Sequence, residues 1–386
     1  IEIASNNVTV NGIAVSPQTT FTTDTSQAAG IFVNANDTIL KNNVVTGVSG
    51  NATPGKSMSA HGIQIFKQSN NPINSIVVEN NLIKNIHVTG NDSWPGYGGA
   101  VGVKIQNKVE NVQILDNTIR NVSSAGWTYG VVSTPSSENT TQPKEVLIRG
   151  NEITGIGDGV VYDVFNDSSA APYPGVAVGL DTAGGDYESG TNATASEVTV
   201  TRNDFEGTPV GVINKDLDNN LDATSNWWGS ENGPSAGEQN SYDDGNQGAE
   251  VSDNVTFTPW LDASPEDGGE DFAPISIEET DKQFASIQSA INVSDDGETV
   301  ELKEGNYTEN VHLNEDNITV RSVGSVEDTV INPPEGEWYT VYNGRNDDSL
   351  GEVTIEGLTL KSGIRGTVGQ NSTTGSGVAI NIANNI

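Results

Sequence analysis

The densest run of potential ligand side chains is Asp216-Leu217-Asp218-Asn219-Asn220-Leu221-Asp222, in which Asp216, Asp218, Asn220 and Asp222 put an oxygen at every second position. Alternating oxygens are how a loop wraps a hard cation such as Ca²⁺. An EF-hand loop also needs glycine at its sixth place, where Leu221 stands, and a bidentate Glu at its twelfth, where Trp227 stands. The run therefore reads first as a polar turn and second as a cation site. The acidic turns Asp243-Asp244, Asp295-Asp296 and Asp347-Asp348 suit loosely held Ca²⁺ or other cations, and no organic cofactor is implied.

Acid–base candidates are sparse. His61, His87 and His312 each stand alone and read as ordinary strand or turn residues. A lyase would need a cationic base beside carboxylates that hold Ca²⁺. Lys104, Arg120 and Arg149 lie on or beside apolar strands, but nothing in their spacing brings them to Asp158, Asp163 or Asp181. The long insert 158–187, with Asp181, Asp186 and Tyr187, is the best place for a binding loop. Sequons are abundant: Asn7, Asn36, Asn51, Asn91, Asn121, Asn139, Asn166, Asn192, Asn254, Asn292, Asn306, Asn317 and Asn371. In a chain so rich in Asn and Thr some arise by chance, and about half are expected to be accessible acceptors.

Any such residues must be positioned by a ladder of related segments. Ile39-Leu40-Lys41-Asn42-Asn43, Val77-Val78-Glu79-Asn80-Asn81, Ile114-Leu115-Asp116-Asn117, Leu147-Ile148-Arg149-Gly150-Asn151 and Thr199-Val200-Thr201-Arg202-Asn203 end on a shared Asn. Most recur about every 35 residues, within the range of solenoid repeats. Three and five places before the Asn stand residues such as Val112 and Ile114, or Val146 and Ile148, and another apolar residue follows two places after it. That alternation is the period of a strand with one buried face. The Asn is expected at a turn, tolerating a left-handed backbone. A second strand opened by glycine precedes most rungs, as in Gly62-Ile63-Gln64-Ile65 and Gly102-Val103-Lys104-Ile105. Helical solenoids are excluded by the period, and sandwiches carry no chain-long recurring Asn. The pattern predicts a parallel β-helix whose coils stack about 4.8 Å apart and whose Asn side chains form an internal ladder.

Leu221-Asp222-Ala223-Thr224-Ser225-Asn226-Trp227-Trp228-Gly229 with Gly233-Pro234, followed by residues 255–261, resembles the closing signature of right-handed parallel β-helix proteins of halophilic archaeal cell surfaces. Residues 284–324 resemble their opening signature. The resemblance implies an all-β, right-handed parallel β-helix at the cell surface, and the chain reads as the C-terminal part of one unit over 1–261, an acidic linker 262–280 and the cap and first coils of the next unit over 281–386, where Phe284, Ile287 and Ile291 share one face of an amphipathic helix over 284–291. The paired Trp227 and Trp228 would plug the open apolar end of the coil stack, with glycan stacking as the alternative. Pectin-cleaving hydrolases of similar fold use clustered Asp with Gly-His-Gly and Arg-Ile-Lys; Ala60-His61-Gly62 alone echoes that set.

Repetition also occurs on a larger scale. Val353-Thr354-Ile355-Glu356-Gly357-Leu358-Thr359-Leu360 matches Val8-Thr9-Val10-Asn11-Gly12-Ile13-Ala14-Val15 at an offset of 345. Ile1 and Ile386 both fall inside rungs, which predicts either continuation as a tandem array, the simpler case, or separate subunits that join end to end to complete one coil stack. The chain carries 52 Asp and Glu against 17 Lys and Arg, a formal charge of -35, and no Cys. Such a charge repels nucleic acid and anionic lipid, and suits a surface exposed to concentrated salt. No apolar run approaches the roughly 20 residues of a membrane span. The sequence thus points to a structural, extracellular filament protein whose partner is itself. A polysaccharide-active enzyme and a glycan-binding adhesin remain as alternatives, the last on Trp94, Tyr97, Trp127 and Tyr173.

Overall fold

A computed structural model of the chain describes residues 1–17, 26–51, 58–67, 71–89, 98–124, 126–135, 142–157, 175–180, 194–216, 218–243, 245–313, 317–335, 340–342 and 353–361. It divides into two units: Ile1–Pro234 with Gly248–Glu270, and Ser235–Gln247 with Asp271–Ile386.

The first unit is a parallel β-helix with three sheets. One sheet orders Glu2–Ile3, Ser26–Val33, Met58–Lys67, Gly98–Asn107, Thr128–Thr134, Gly175–Leu180, Val210–Asn214 and Gly248–Val251. The second orders Val8–Asn11, Thr38–Lys41, Ile73–Glu79, Val109–Leu115, Lys144–Arg149, Val198–Thr201, Leu221–Asp222 and Val255–Thr256. A third holds Ala14–Val15, Val44–Thr46, Leu82–Thr89, Thr118–Ser124 and Glu152–Ile156. Register follows the sequence repeat: Ile76, Val112, Val146 and Val198 align across the second sheet, as do Val78, Ile114, Ile148 and Val200. All eight are buried, and so are Val45, Ile83, Ile119, Ile153 and Phe205 two places after each Asn. One strand face plus the residue beyond the turn therefore fills the bore of the coil.

Left-handed backbone falls one residue earlier than the sequence suggested. Asn42, Asn80, Asp116, Gly150, Arg202 and Ser225 have φ between 52° and 70°, while the following Asn turns its side chain inward. The corner is thus taken by the outward residue, which frees the Asn to bond along the stack.

In the second unit Ile275–Ile277 pairs antiparallel with both Lys282–Phe284 and Thr299–Leu302, and Thr299–Leu302 continues in parallel to Thr319–Ser322 and Thr354–Glu356. The helix is shorter than 284–291. Phe284 ends a strand, the Ser286 side chain accepts the N–H of Ser289 as N-cap, and the helix runs Ile287–Ile291 with Ile287, Ala290 and Ile291 buried. Stretch 262–280 is not a free linker. Residues 262–270 fold within the first unit, where Asp262 and Glu270 bond each other's main chain and Ser264 caps Asp267. Residues 271–280 enter the second unit and supply Ile275–Ile277.

Candidate functional site

The most regular arrangement of polar side chains is the column inside the first unit. Nδ2 of Asn43, Asn81, Asn117, Asn151 and Asn203 each donates to Oδ1 of the next Asn at 2.9 Å, and the backbone N–H of each donates to the same oxygen at 2.9–3.0 Å. The second hydrogen of each amide goes to a carbonyl of the preceding coil, Val10, Leu40, Val78, Ile114 or Ile148. All five are buried, so the ladder is a satisfied polar seam in an apolar bore.

Its sixth member is Asn226, which accepts from Asn203 and donates to Val200. The stretch around Asn226-Trp227-Trp228 is therefore itself a rung. Leu221 and Ala223 stand five and three places before Asn226, Trp228 two places after, and all are buried. That spacing was present in the sequence, but the aromatic pair masked it.

Trp228 packs on Phe205 with ring centroids 5.2 Å apart, above Gly211. Trp227 instead points outward, half-buried, with Nε1 3.4 Å from Glu206 Oε2, so the two indoles do not form one plug. In the next coil Val255 aligns with Leu221, which brings Trp260 to the position of Asn226. Trp260 is fully buried and donates from Nε1 to the Glu231 carbonyl at 2.8 Å. An indole in the Asn column has no amide oxygen to offer, and there the ladder stops.

The opposite face of the first sheet carries a second buried layer. A Cβ on Gly62, Gly102 or Gly130 would strike Ile83, Ile119 or Ile153 in the bore. Two columns run in register: His61–Val101–Tyr129–Val176–Val210 and Gln64–Lys104–Val132–Gly179–Ile213. The apolar members form one cluster with Trp127 against it. Lys104 Nζ lies 5.4 Å over the Trp127 ring, and Trp127 and Tyr129 are 6.2 Å apart. Gln64 donates to Gln27 at 2.7 Å. His61 is fully buried, and neither ring nitrogen has a partner in hydrogen-bonding geometry. Burial, and then the charge of Lys104, hold its pKa well below the usual imidazole value, although the nearby Gln64 side chain pulls the other way. Gln64, Lys104 and Tyr129 are themselves buried, and Trp127, half-buried, is the aromatic face of this group nearest to solvent.

The other candidates are dispersed. Lys104, Arg149 and Arg120 sit on the first, second and third sheets respectively, so the coil geometry keeps the three cations out of one groove. His87 is half-buried, with Nδ1 2.8 Å from Ser123 Oγ, and burial lowers its pKa. His312 lies exposed on a strand, its main chain bonded by Gln288. On the third-sheet side Asp204 lies between Glu152 and Trp227 in one column, and burial followed by the charges of Glu206, Glu152 and Asp267 raises its pKa.

In the 216–222 run, carboxylates serve the main chain. Asp216 is buried and accepts the N–H of Ala195 and Asp218 and the Asn219 amide, while Asp222 accepts from Thr224. Among the described residues no three His, Asp or Glu side chains converge as a metal site. In this run the oxygens of Asp216 and Asp222 are engaged by their own surroundings.

Asn7, Asn51, Asn121, Asn292, Asn306 and Asn317 are exposed, whereas Asn36 and Asn254 are half-buried. Asn91, Asn139, Asn166, Asn192 and Asn371 lie outside the described residues, as do Asp158, Asp163, Asp181, Asp186, Tyr187, Trp94, Tyr97 and Tyr173. The expected binding insert is interrupted by Gly175–Leu180, a fully buried strand of the first sheet. Comparison with protein-family models, curated proteins and solved structures returns no match to this chain.

Proposed function

We propose that the chain is a stretch of a tandem β-helix array that forms an extended, extracellular surface fibre, with length and surface chemistry as its working properties. One observation carries this reading: the same coil occurs twice, once in each unit. Val8–Asn11 and Ala14–Val15 flank Gly12, and Thr354–Glu356 and Thr359–Leu360 flank Gly357; both glycines adopt φ 71°. In the second unit this coil follows a helix and an antiparallel strand pair of the kind that covers a solenoid end. The formal charge of -35 and the exposed sequons fit an acidic, glycosylated outer surface bathed in salt. Electron microscopy of native material purified without denaturant tests the proposal. Segmented fibres are expected. Discrete particles of one 40.5 kDa chain that turn over an acidic polysaccharide would replace the fibre with an enzyme.

A second reading, glycan binding at the half-buried Trp127, is favoured by the Lys104 ammonium 5.4 Å over its ring. Titration with an oligogalacturonate checks it through Trp127 fluorescence. Quenching that disappears in Trp127→Ala and weakens in Lys104→Met supports a saccharide site, and an unchanged spectrum rejects it.

A further inference from the structure

The third sheet of the first unit sorts the charges on its outer face by coil. Val44, Leu82, Thr118, Glu152, Asp204 and Trp227 align in one column, and Thr46, Lys84, Arg120 and Thr154 align in the column two residues further along the strands. All of these are half-buried or exposed, whereas Val45, Ile83, Ile119 and Ile153 between the two columns are buried in the bore. Six coils about 4.8 Å apart make a strip about 24 Å long.

One half of the strip is cationic and the other anionic. Lys84 and Arg120 are direct partners in register, and like charges so placed repel each other. In a chain with 52 acidic side chains, neither has a hydrogen-bond or ion-pair partner among the described residues. The next coil carries Glu152, and the one after it Asp204 and the exposed Glu206. Carboxylates crowd there: after burial, the charges of Glu206, Glu152 and Asp267 raise the pKa of Asp204. Each half therefore carries a charge that its own surroundings leave uncompensated, and the two charges are opposite.

We propose that the third-sheet face from Val44 to Trp227 is a self-complementary surface on which two copies of this chain pair side by side, with their coils in opposite order. A two-fold axis along the strands, between the coils of Thr118 and Glu152, reverses the coil order of the second copy. It sets the Arg120 coil against the Glu152 coil, the Lys84 coil against the coil of Asp204 and Glu206, and the Val44 coil against the Trp227 coil, each contact being made twice. The parallel arrangement would set every coil against its own copy and like charges face to face. The formal charge of -35 opposes the approach of two copies in dilute salt. In about 1 M salt the Debye length falls to about 3 Å, so repulsion between whole bodies is screened while ions in contact still attract. A strip this narrow belongs to the weak class of interface, below about 1,200 Å². Tandem units would repeat the strip and add such contacts along two fibres, but the pairing of single chains does not depend on the array.

Analytical ultracentrifugation of the whole chain in about 1 M KCl tests the surface, and a monomer–dimer equilibrium is expected below about 0.5 mM. Arg120→Glu and Glu152→Arg should each raise the dissociation constant at least about tenfold, because symmetry sets each reversed charge against its like at two points. Mixing the two variants should restore pairing, since every contact between them then joins unlike charges. Both residues are exposed, so the variants should keep the wild-type melting temperature, which separates lost pairing from lost folding. A wild-type chain that stays monomeric, a dimer indifferent to both reversals, or variants that do not pair when mixed would overturn the surface. So would a monomeric chain that binds oligogalacturonate through Lys84 and Arg120, since the cations would then serve a polyanion.

Discussion

Asn117 shows what a single side chain contributes to this molecule. Its amide donates to Val78 and Asn151, its oxygen receives both the backbone and the side chain of Asn81, and it is buried. Asn117→Ala leaves these partners unsatisfied in the bore and is expected to cost about 2–4 kcal/mol in urea denaturation. Asn80 is the control, because it makes a comparable amide bond to Asn42 at 2.6 Å but in solvent. Asn80→Ala should cost less than about 1 kcal/mol. His61 adds a pH dependence of defined sign. Its folded pKa lies well below the unfolded value near 6.5, so below that pH the unfolded chain takes up a proton that the folded ring refuses. The contribution is fully present above pH 6.5 and is lost as pH falls toward the folded pKa, with a slope of up to about 1.4 kcal/mol per pH unit. His61→Leu should flatten that part of the stability profile between pH 7.5 and 5.5, read as the difference from wild type in denaturation midpoints about 2 pH units apart.

At the scale of elements, the glycine-opened strands of the first sheet owe their position to missing side chains. A Cβ on Gly130 would lie 2.3 Å from Ile153 Cγ2 and 2.6 Å from the Ala177 carbonyl, and the second contact is backbone that cannot step aside. Gly130→Ala should therefore cost about 1–3 kcal/mol by overpacking. Gly207 has open space around it but adopts φ 70°, so Gly207→Ala is expected to cost only about 1 kcal/mol, from the left-handed backbone alone. Equal effects at the two sites, measured by thermal or urea unfolding, would contradict this assignment of causes. The short helix follows a different rule. Glu309 is buried and accepts hydrogen bonds from Ser286, Ile287 and Gln288, so it orders the helix start from outside the helix. Burial nevertheless raises its pKa.

For the whole molecule, charge sets the conditions for stability. With 52 acidic and 17 basic side chains, mutual repulsion opposes compaction, and salt screens it. The melting temperature should rise by roughly 5–10 °C between about 0.1 M and about 2 M KCl, and a flat response would show that the carboxylates are already balanced locally. Arg321 shows such local balance on a small scale, at 3.0 Å from Glu278 and 2.6 Å from Glu301, but at the surface these pairs add little.

The recurring Asn, with apolar residues five and three before it and two after, determined by itself that the chain coils into a parallel β-helix and which residues fill the bore. That pattern is local, and a strand's alternation leaves no other face to bury. The same rule applied to Leu221, Ala223, Asn226 and Trp228 would have revealed the sixth rung. Long-range facts were not legible. The placing of Lys104, Arg120 and Arg149 on three sheets depends on where each coil turns its corners. Trp260 enters the Asn column only because Val255 pairs with Leu221. Tyr242 packs on the open face of Gly305 some 60 residues away, and contacts between residues so far apart leave no periodic trace in the sequence.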